Sequence, residues 1–327
     1  MGISDRNYNY DVTVLMPVYN GSLFVTEAIE SIKVQEGVRC KLIVFNDGSS
    51  DSTLEILCKF SGKNVHIINS DENIGYVRAL NSMLPFVDSP YIARLDADDV
   101  AKPQRLLKQL THIESKPSTL VLGSDFDYID IHGSVLDRPT DRCSGLTPNS
   151  ALLFENVICH PTVVLRSDVF SRVVPQYDPS ILPAEDYDLW LKCSEVGDVE
   201  IHPEKLTKYR IHAKQITGQM EKSTYRKNAV IRMRHLCRTE LLDIRFQAGG
   251  VIDRIKRIVE YEAEKYSLTT STAHDLCMRY LQDVCISGAL SKGRDSLVFT
   301  KSFLFEKSLN RSDKITLLRF IRKSLLF

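Results

Sequence analysis

The chain has 327 residues, 43% hydrophobic and 26% charged, a profile that excludes a disordered or fibrous protein and leaves ample core for one large domain with a smaller appendage. The formal net charge is zero, yet residues 221–327 hold 21 Lys and Arg against 12 Asp and Glu, a local +9 that leaves −9 on the first 220 residues. No uninterrupted apolar run reaches the about 18 residues that a membrane span needs, and the eight scattered cysteines include no CxxC pair of the kind a zinc ribbon uses.

The polar start "MGISDRNYNYD" lacks the apolar core of a secretory leader, so the expected compartment is the cytoplasm, with reduced thiols. "VTVLM" then reads as a buried strand, and Ala28, Ile29 and Ile32 recur at helical spacing within 23–35. "KLIVF" is a second strand, followed by a helix from about Ser52 with Glu55 placed for a capping box. "VHIIN" is a third strand, and a helix is expected from about Gly75 to Phe86. "YIARL" is a fourth strand, and Pro103 opens the helix after it, where a missing N–H costs nothing.

Alternating strands and helices imply right-handed crossovers and an α/β fold with a mostly parallel sheet flanked by helices. Ligands of such sheets bind beyond the carboxyl ends of the strands. Four polar clusters, "PVYNG", "NDGSSDS", "DENIGY" and "DADD", are therefore expected along one edge.

From about residue 120 the pattern changes to a strand and a hairpin with a His-Gly turn. "TVVLRSDVF" reads as strand then helix, "EDYDLWLKCSEVG" as an amphipathic helix, and "EKLTKYRIH" as a strand. Beyond 220 the chain reads as mainly α-helical and basic. The composition shift there divides it into a domain of residues 1–220 and a region of 221–327 for acceptor, membrane or oligomer contacts. The final stretch "RSDKITLLRFIRKSLLF" combines an apolar stripe with Lys314, Arg319, Arg322 and Lys323. It suits either peripheral contact with an anionic membrane or packing against a bundle or a second subunit.

The densest chemistry lies in "RLDADD", where Asp96, Asp98 and Asp99 crowd three repelling carboxylates into four positions. A calcium loop of the EF-hand kind would need Gly at its sixth position and Glu at its twelfth. Counting from Asp96 those positions hold Ala101 and Leu107, which leaves a solvated turn or a metal-diphosphate site. Glu185 and Asp186 read as either a helix start made acidic to complement its dipole or a carboxylate pair for acid–base work.

In this order and spacing, "VTVLMPVYNG", "LIVFNDGSSDST", "NIGYVRALN", "YIARLDADDVAKPQRLLKQ" and "PAEDYDLWLK" resemble the successive motifs of the family two glycosyltransferases. The resemblance covers roughly residues 11–215 and implies the GT-A (Rossmann-like) fold and an inverting, nucleotide-sugar-dependent reaction. It implies that Pro17, Tyr19, Asn20 and Asp47 hold the nucleobase side of the donor, with Arg78, Asn81, Arg210 and His212 near its phosphates. It further implies a Mn2+ or Mg2+ ion on Asp98, with Asp96 and Asp99 touching ribose, sugar or groups behind the ion. Asp186 is then the general base and Glu185 a group that places the acceptor. Where the family often has two acids before Gly-Ser, this chain has Asn46-Asp47, so only one carboxylate is available there.

The expected function is transfer of a sugar from a UDP-sugar donor to a hydroxyl of a glycan or lipid-linked glycan, of the kind used in surface polysaccharide such as capsule, O-antigen or lipooligosaccharide. The alternatives from other classes are a nucleotidyltransferase and a catalytically idle sugar-nucleotide or glycan binder. A nucleotidyltransferase would normally show a Gly-rich loop after the first strand, and "PVYNGS" has a single Gly. The absence of GxGxxG after any strand disfavours a dinucleotide oxidoreductase, and no nucleic-acid-binding module is recognisable in the basic region.

Overall fold

A computed structural model of the chain describes residues 8–139, 146–173, 176–213 and 215, together with ten isolated positions between 228 and 280. The C-terminal amphipathic stretch and nearly all of residues 221–327 lie outside the described residues. Contacts divide the chain into two units, one of residues 1–149 with 156–219 and one of residues 150–155 with 220–327. Among the described residues no helix is long and apolar enough to cross a membrane.

The first unit holds an eight-stranded mixed sheet in the order β3-β2-β1-β4-β7-β6-β8-β5. Its parallel half is β1 (Val12–Val18), β2 (Cys40–Asp47), β3 (Val65–Ser70) and β4 (Tyr91–Arg94). Between them run α1 (Val25–Lys33), α2 (Thr53–Cys58) and α3 (Tyr76–Met83). The later elements are β5 (Val100–Ala101), α4 (Arg105–Ser115), β6 (Thr119–Ile129), α5 (Pro148–Ala151), β7 (Val164–Arg166), α6 (Val169–Arg172), α7 (Glu185–Val196) and β8 (Asp198–Arg210). β7 runs antiparallel to both β4 and β6, β8 lies parallel to β6, and β5 closes the edge antiparallel to β8.

Every residue of β1 is buried, as a strand covered by helices on both faces requires. Val12, Val14 and Met16 join Ala28, Ile29 and Ile32 of α1 and Leu106, Leu110 and Ile113 of α4 in one core. After β3 the chain crosses to the other side of β1 to form β4, so the loops after β1 and β4 diverge and leave a crevice at their carboxyl ends. Pro17 marks where it opens. Leu15 accepts a bond from Leu95 across the β1–β4 seam, and two residues on, the same edge of β1 has outrun β4, whose pairing stops at Arg94. A residue without an N–H is tolerated there.

Two local expectations change. Ser52 does not cap α2 with its side chain; Asp51 does, accepting from the Thr53 amide at 3.0 Å. α7 is buried nearly all round, Leu189, Trp190 and Leu191 being fully covered, so it is a core helix and not an amphipathic one. The sheet is mostly parallel as expected, but its run of parallel strands is interrupted after β4, where the short β7 returns antiparallel before β6 and β8 pair in parallel again. The His-Gly turn forms as expected, with Asp130 Oδ1 accepting from the amides of His132 and Ser134 and Gly133 at φ +85°.

Gly48 closes the crevice floor. It has φ +66°, and a Cβ there would sit 2.4 Å from the Glu72 carbonyl carbon and 2.6 Å from the Asn73 nitrogen. Gly48→Ala is expected to lower stability by more than the roughly 1–3 kcal/mol of the backbone conformation alone. Gly133→Ala, with nothing among the described residues within 4 Å of its added Cβ, should show only the conformational part. Urea midpoints of the two variants check the difference.

Candidate active site

The crevice is framed by the loops that follow β1, β2, β3 and β4. Asn20, in the left-handed region at φ 51°, ties the first two together: its amide donates to Ser49 Oγ at 2.9 Å and its Oδ1 accepts from the Ser50 amide at 2.8 Å. Asp47 ties in the third, its two oxygens accepting from the amides of Ile74 (2.7 Å) and Gly75 (3.0 Å) just ahead of α3. These two residues tie the loops of the crevice together. Tyr19 stands at the rim with 53% of its surface exposed, so its ring is free for stacking.

Three carboxylates converge at the end of β4. The ligand oxygens of Asp96, Asp98 and Asp99 all lie within 4.8 Å of one another. Each has a different partner. Asp96 Oδ1 accepts from Arg94 Nη2 at 2.5 Å, and Asp98 Oδ2 lies 2.8 Å from His212 Nε2. Asp99, fully buried, accepts the Arg210 amide on Oδ1 at 2.8 Å, while its buried Oδ2 has no hydrogen-bond partner among the described residues. Burial raises the pKa of Asp96 and pushes that of Asp99 well up, with neighbouring carboxylates adding to both. An all-oxygen cluster with mutual repulsion and an unpartnered buried oxygen fits a hard divalent cation.

Arg210 and Asn81 stand apart from the crevice surface. Arg210 is 1% exposed and donates to Asp98 O (2.8 Å), Asp130 O (3.0 Å) and Glu27 Oε2 (2.6 Å), its guanidinium lying over the Phe24 ring. It braces the aspartate turn from behind. Asn81 pairs both ends of its amide with the backbone of Tyr177, at 2.8 and 3.3 Å. Arg78, one turn earlier on α3, is exposed.

Glu185 and Asp186 open α7. Asp186 is oriented at both oxygens, Oδ2 accepting from Asn156 Nδ2 at 2.9 Å and Oδ1 from the Tyr187 amide at 2.7 Å. Burial lifts its pKa to about 6. Glu185 is 5% exposed with Oε2 unpartnered among the described residues, and burial, reinforced by Asp186, lifts it to about 8. The charge of Asp96 adds to the upward push on both, which places the α7 pair and the β4 cluster within electrostatic reach of each other. A sequence reading misses Tyr76, Tyr177 and Asn156. They are ordinary residues by pattern, and only tertiary packing brings them to the site. Trp190 is fully buried behind it.

The model of the Glycosyl transferase family 2 matches residues 13–169. An uncharacterized glycosyltransferase of Haemophilus influenzae is 33% identical over 217 residues, spanning 63% of this chain and 67% of that one. Another from Rickettsia prowazekii is 31% identical over 216 residues, spanning 64% and 67%. Among solved structures, Staphylococcus aureus TarS residues 1–349 in complex with UDP-GlcNAc matches 96% of this chain and 91% of its own at a TM-score of 0.62 and 16% identity. The mannosyltransferase PcManGT of Pyrobaculum calidifontis, in complex with GDP-Man and Mn2+, matches 99% and 85% at a TM-score of 0.52 and 12% identity. The chain belongs to the family two glycosyltransferases and has the GT-A fold. Membership sets aside the nucleotidyltransferase and oxidoreductase alternatives.

Proposed function

We propose that the protein transfers a sugar, with inversion, from a UDP-sugar to a hydroxyl of a glycan or lipid-linked glycan, in the building of a surface polysaccharide. What supports the reading is the cluster of three β4 aspartates, whose ligand oxygens lie within 4.8 Å of one another, with the α7 pair near enough for the charge of Asp96 to raise both of its members. The complexes of TarS with UDP and with UDP-GlcNAc support a uridine nucleotide as the donor carrier.

Asp98, with Asp96 and Asp99, would hold a Mn2+ or Mg2+ ion, which when bound supplies positive charge to the leaving nucleoside diphosphate. Tyr19 offers its exposed ring to the base. His212, through Nε2, fixes the Asp98 carboxylate, and Arg210 fixes the turn that carries it. Asp186, held at both oxygens, takes the proton of the acceptor hydroxyl as that oxygen bonds to the anomeric carbon. The sugar–phosphate bond breaks with its electron pair leaving on the diphosphate. Glu185, lifted to about 8, keeps its proton at neutral pH and donates a hydrogen bond to a hydroxyl in the crevice.

Thermal-shift titration of UDP, GDP and a panel of UDP-sugars in the presence of Mn2+ tests the donor class, since ligand bound to the native state raises the apparent stability by mass action. UDP compounds are expected to raise the midpoint and GDP is not. Equal shifts with GDP would contradict the uridine reading.

A further inference from the structure

Behind the β4 aspartates lies a buried polar chain that no step above uses. Its hub is His160, 7% exposed and in a short 3-10 turn just ahead of β7. Tyr76 Oη lies 3.1 Å from its Nδ1, and Tyr177 Oη lies 3.1 Å from its Nε2. Arg94 Nε points at the same Nε2 from 3.4 Å, and Arg94 Nη2 donates to Tyr76 Oη at 2.7 Å and to Asp96 Oδ1 at 2.5 Å. The Tyr76 hydroxyl also favours the charged form of Asp96. The Trp190 ring meets the imidazole edge-on at 5.6 Å.

Donor and acceptor counting fixes the protons. Arg94 is donor-only, so Nε2 must offer a lone pair, shared between Arg94 Nε–H and the Tyr177 O–H. The ring proton therefore sits on Nδ1 and is donated to Tyr76. The Tyr76 oxygen accepts from His160 and from Arg94, which leaves its own proton for a further acceptor. Burial and the Arg94 charge keep the imidazole neutral, which this pattern requires. Asn81 contributes by clamping the backbone that carries Tyr177.

We infer that His160 is a positioning residue which, as its Nδ1–H tautomer and through Tyr76 and Arg94, aims the Asp96 carboxylate into the crevice. The inference rests on Asp96 facing the donor or its cation, as proposed above. Arg94 Nη2, which bonds both Tyr76 Oη and Asp96 Oδ1, holds one oxygen of that carboxylate. Without His160, the hydroxyls of Tyr76 and Tyr177 and Nε of Arg94 would be buried with one partner fewer, and the Asp96 oxygen that Arg94 holds would be free to turn. Buried polar networks of this kind specify one arrangement only while every member is satisfied.

The test has two readouts on the full chain. In ligand-free protein with 15N-labelled histidine, the His160 ring shifts report the tautomer; Nδ1–H is expected, and Nε2–H overturns the inference. The second is a double-mutant cycle of His160→Gln and Asp96→Asn, read in the affinity for UDP in the presence of Mn2+ and in urea unfolding. His160→Gln alone is expected to weaken UDP about ten-fold, the size of one hydrogen bond to a charged group, and to add nothing in the Asp96→Asn background. The unfolding midpoints identify folded variants. The same ten-fold loss in both backgrounds, or a loss confined to stability, would make His160 a packing residue and overturn the proposal. Tyr177→Phe, which removes one donor without shrinking the core, should follow His160→Gln in affinity at smaller size. Failure of the wild-type protein to bind UDP would count against the uridine donor, and the tautomer, measured without ligand, would then decide this inference.

Discussion

Asp186→Asn is expected to lower kcat by about 10^2–10^4-fold, the usual worth of a positioned general base, with the donor KM changed by no more than a few-fold. The amide keeps the shape and can still accept from the Tyr187 amide, so the loss should lie in proton transfer alone. Initial rates at saturating acceptor separate the two parameters. Transfer at wild-type kcat would remove Asp186 from the chemistry. The wild-type pH profile follows from the same environment. Asp186 is lifted to about 6 and Glu185 to about 8, so kcat/KM should rise through about pH 6 as the base ionises and fall through about pH 8 as Glu185 loses its proton. Stability carries the opposite sign on the acid side. Both folded-state values lie above the ordinary 3.8 and 4.5, so the native state binds more protons than the unfolded chain between about pH 4 and 8. Stability is therefore expected to fall as pH rises across that window, and Glu185→Gln should flatten the fall.

The second large effect is on the cation. Asp98→Asn removes the carboxylate that His212 fixes at 2.8 Å, and Mn2+ affinity is expected to drop by more than about 100-fold, beyond what loss of a group behind a ligand does. Folding should be spared, because the substitution also relieves repulsion among three carboxylates held within 4.8 Å. Titration of Mn2+ followed by electron paramagnetic resonance, with a thermal midpoint for each protein, checks both halves. Unchanged Mn2+ affinity would place the ion elsewhere or exclude it.

The parallel half of the fold is legible in the sequence because β1 to β4 carry near-continuous apolar runs separated by helical periodicity and strand-end polar clusters. The change of direction at β7 is not, since a three-residue strand has no period to read. α7 misleads for a related reason: Asp188 and Lys192 look like a solvent face, yet both are buried and paired with each other. At the site, residue type suggests which side chains gather but not which way they work. Asn20, Asp47, Asn81 and Arg210 have ligand-binding chemistry and also bond backbone groups of the protein, because loops that must meet at a crevice have amides and carbonyls to satisfy. The Arg94–Tyr76–His160–Tyr177 chain joins residues from positions 76 to 177 and has no local signature at all.

The central claim is that one crevice binds a UDP-sugar through a cation on the β4 aspartates. Calorimetric titration of UDP-GlcNAc and its hexose analogues into the wild-type protein, with Mn2+ and then with a chelator, tests it most directly. Binding of at least one UDP-sugar that requires Mn2+ and disappears in Asp98→Asn is the predicted result. Binding of every UDP-sugar with equal strength in the chelator, or no loss in Asp98→Asn, would contradict it.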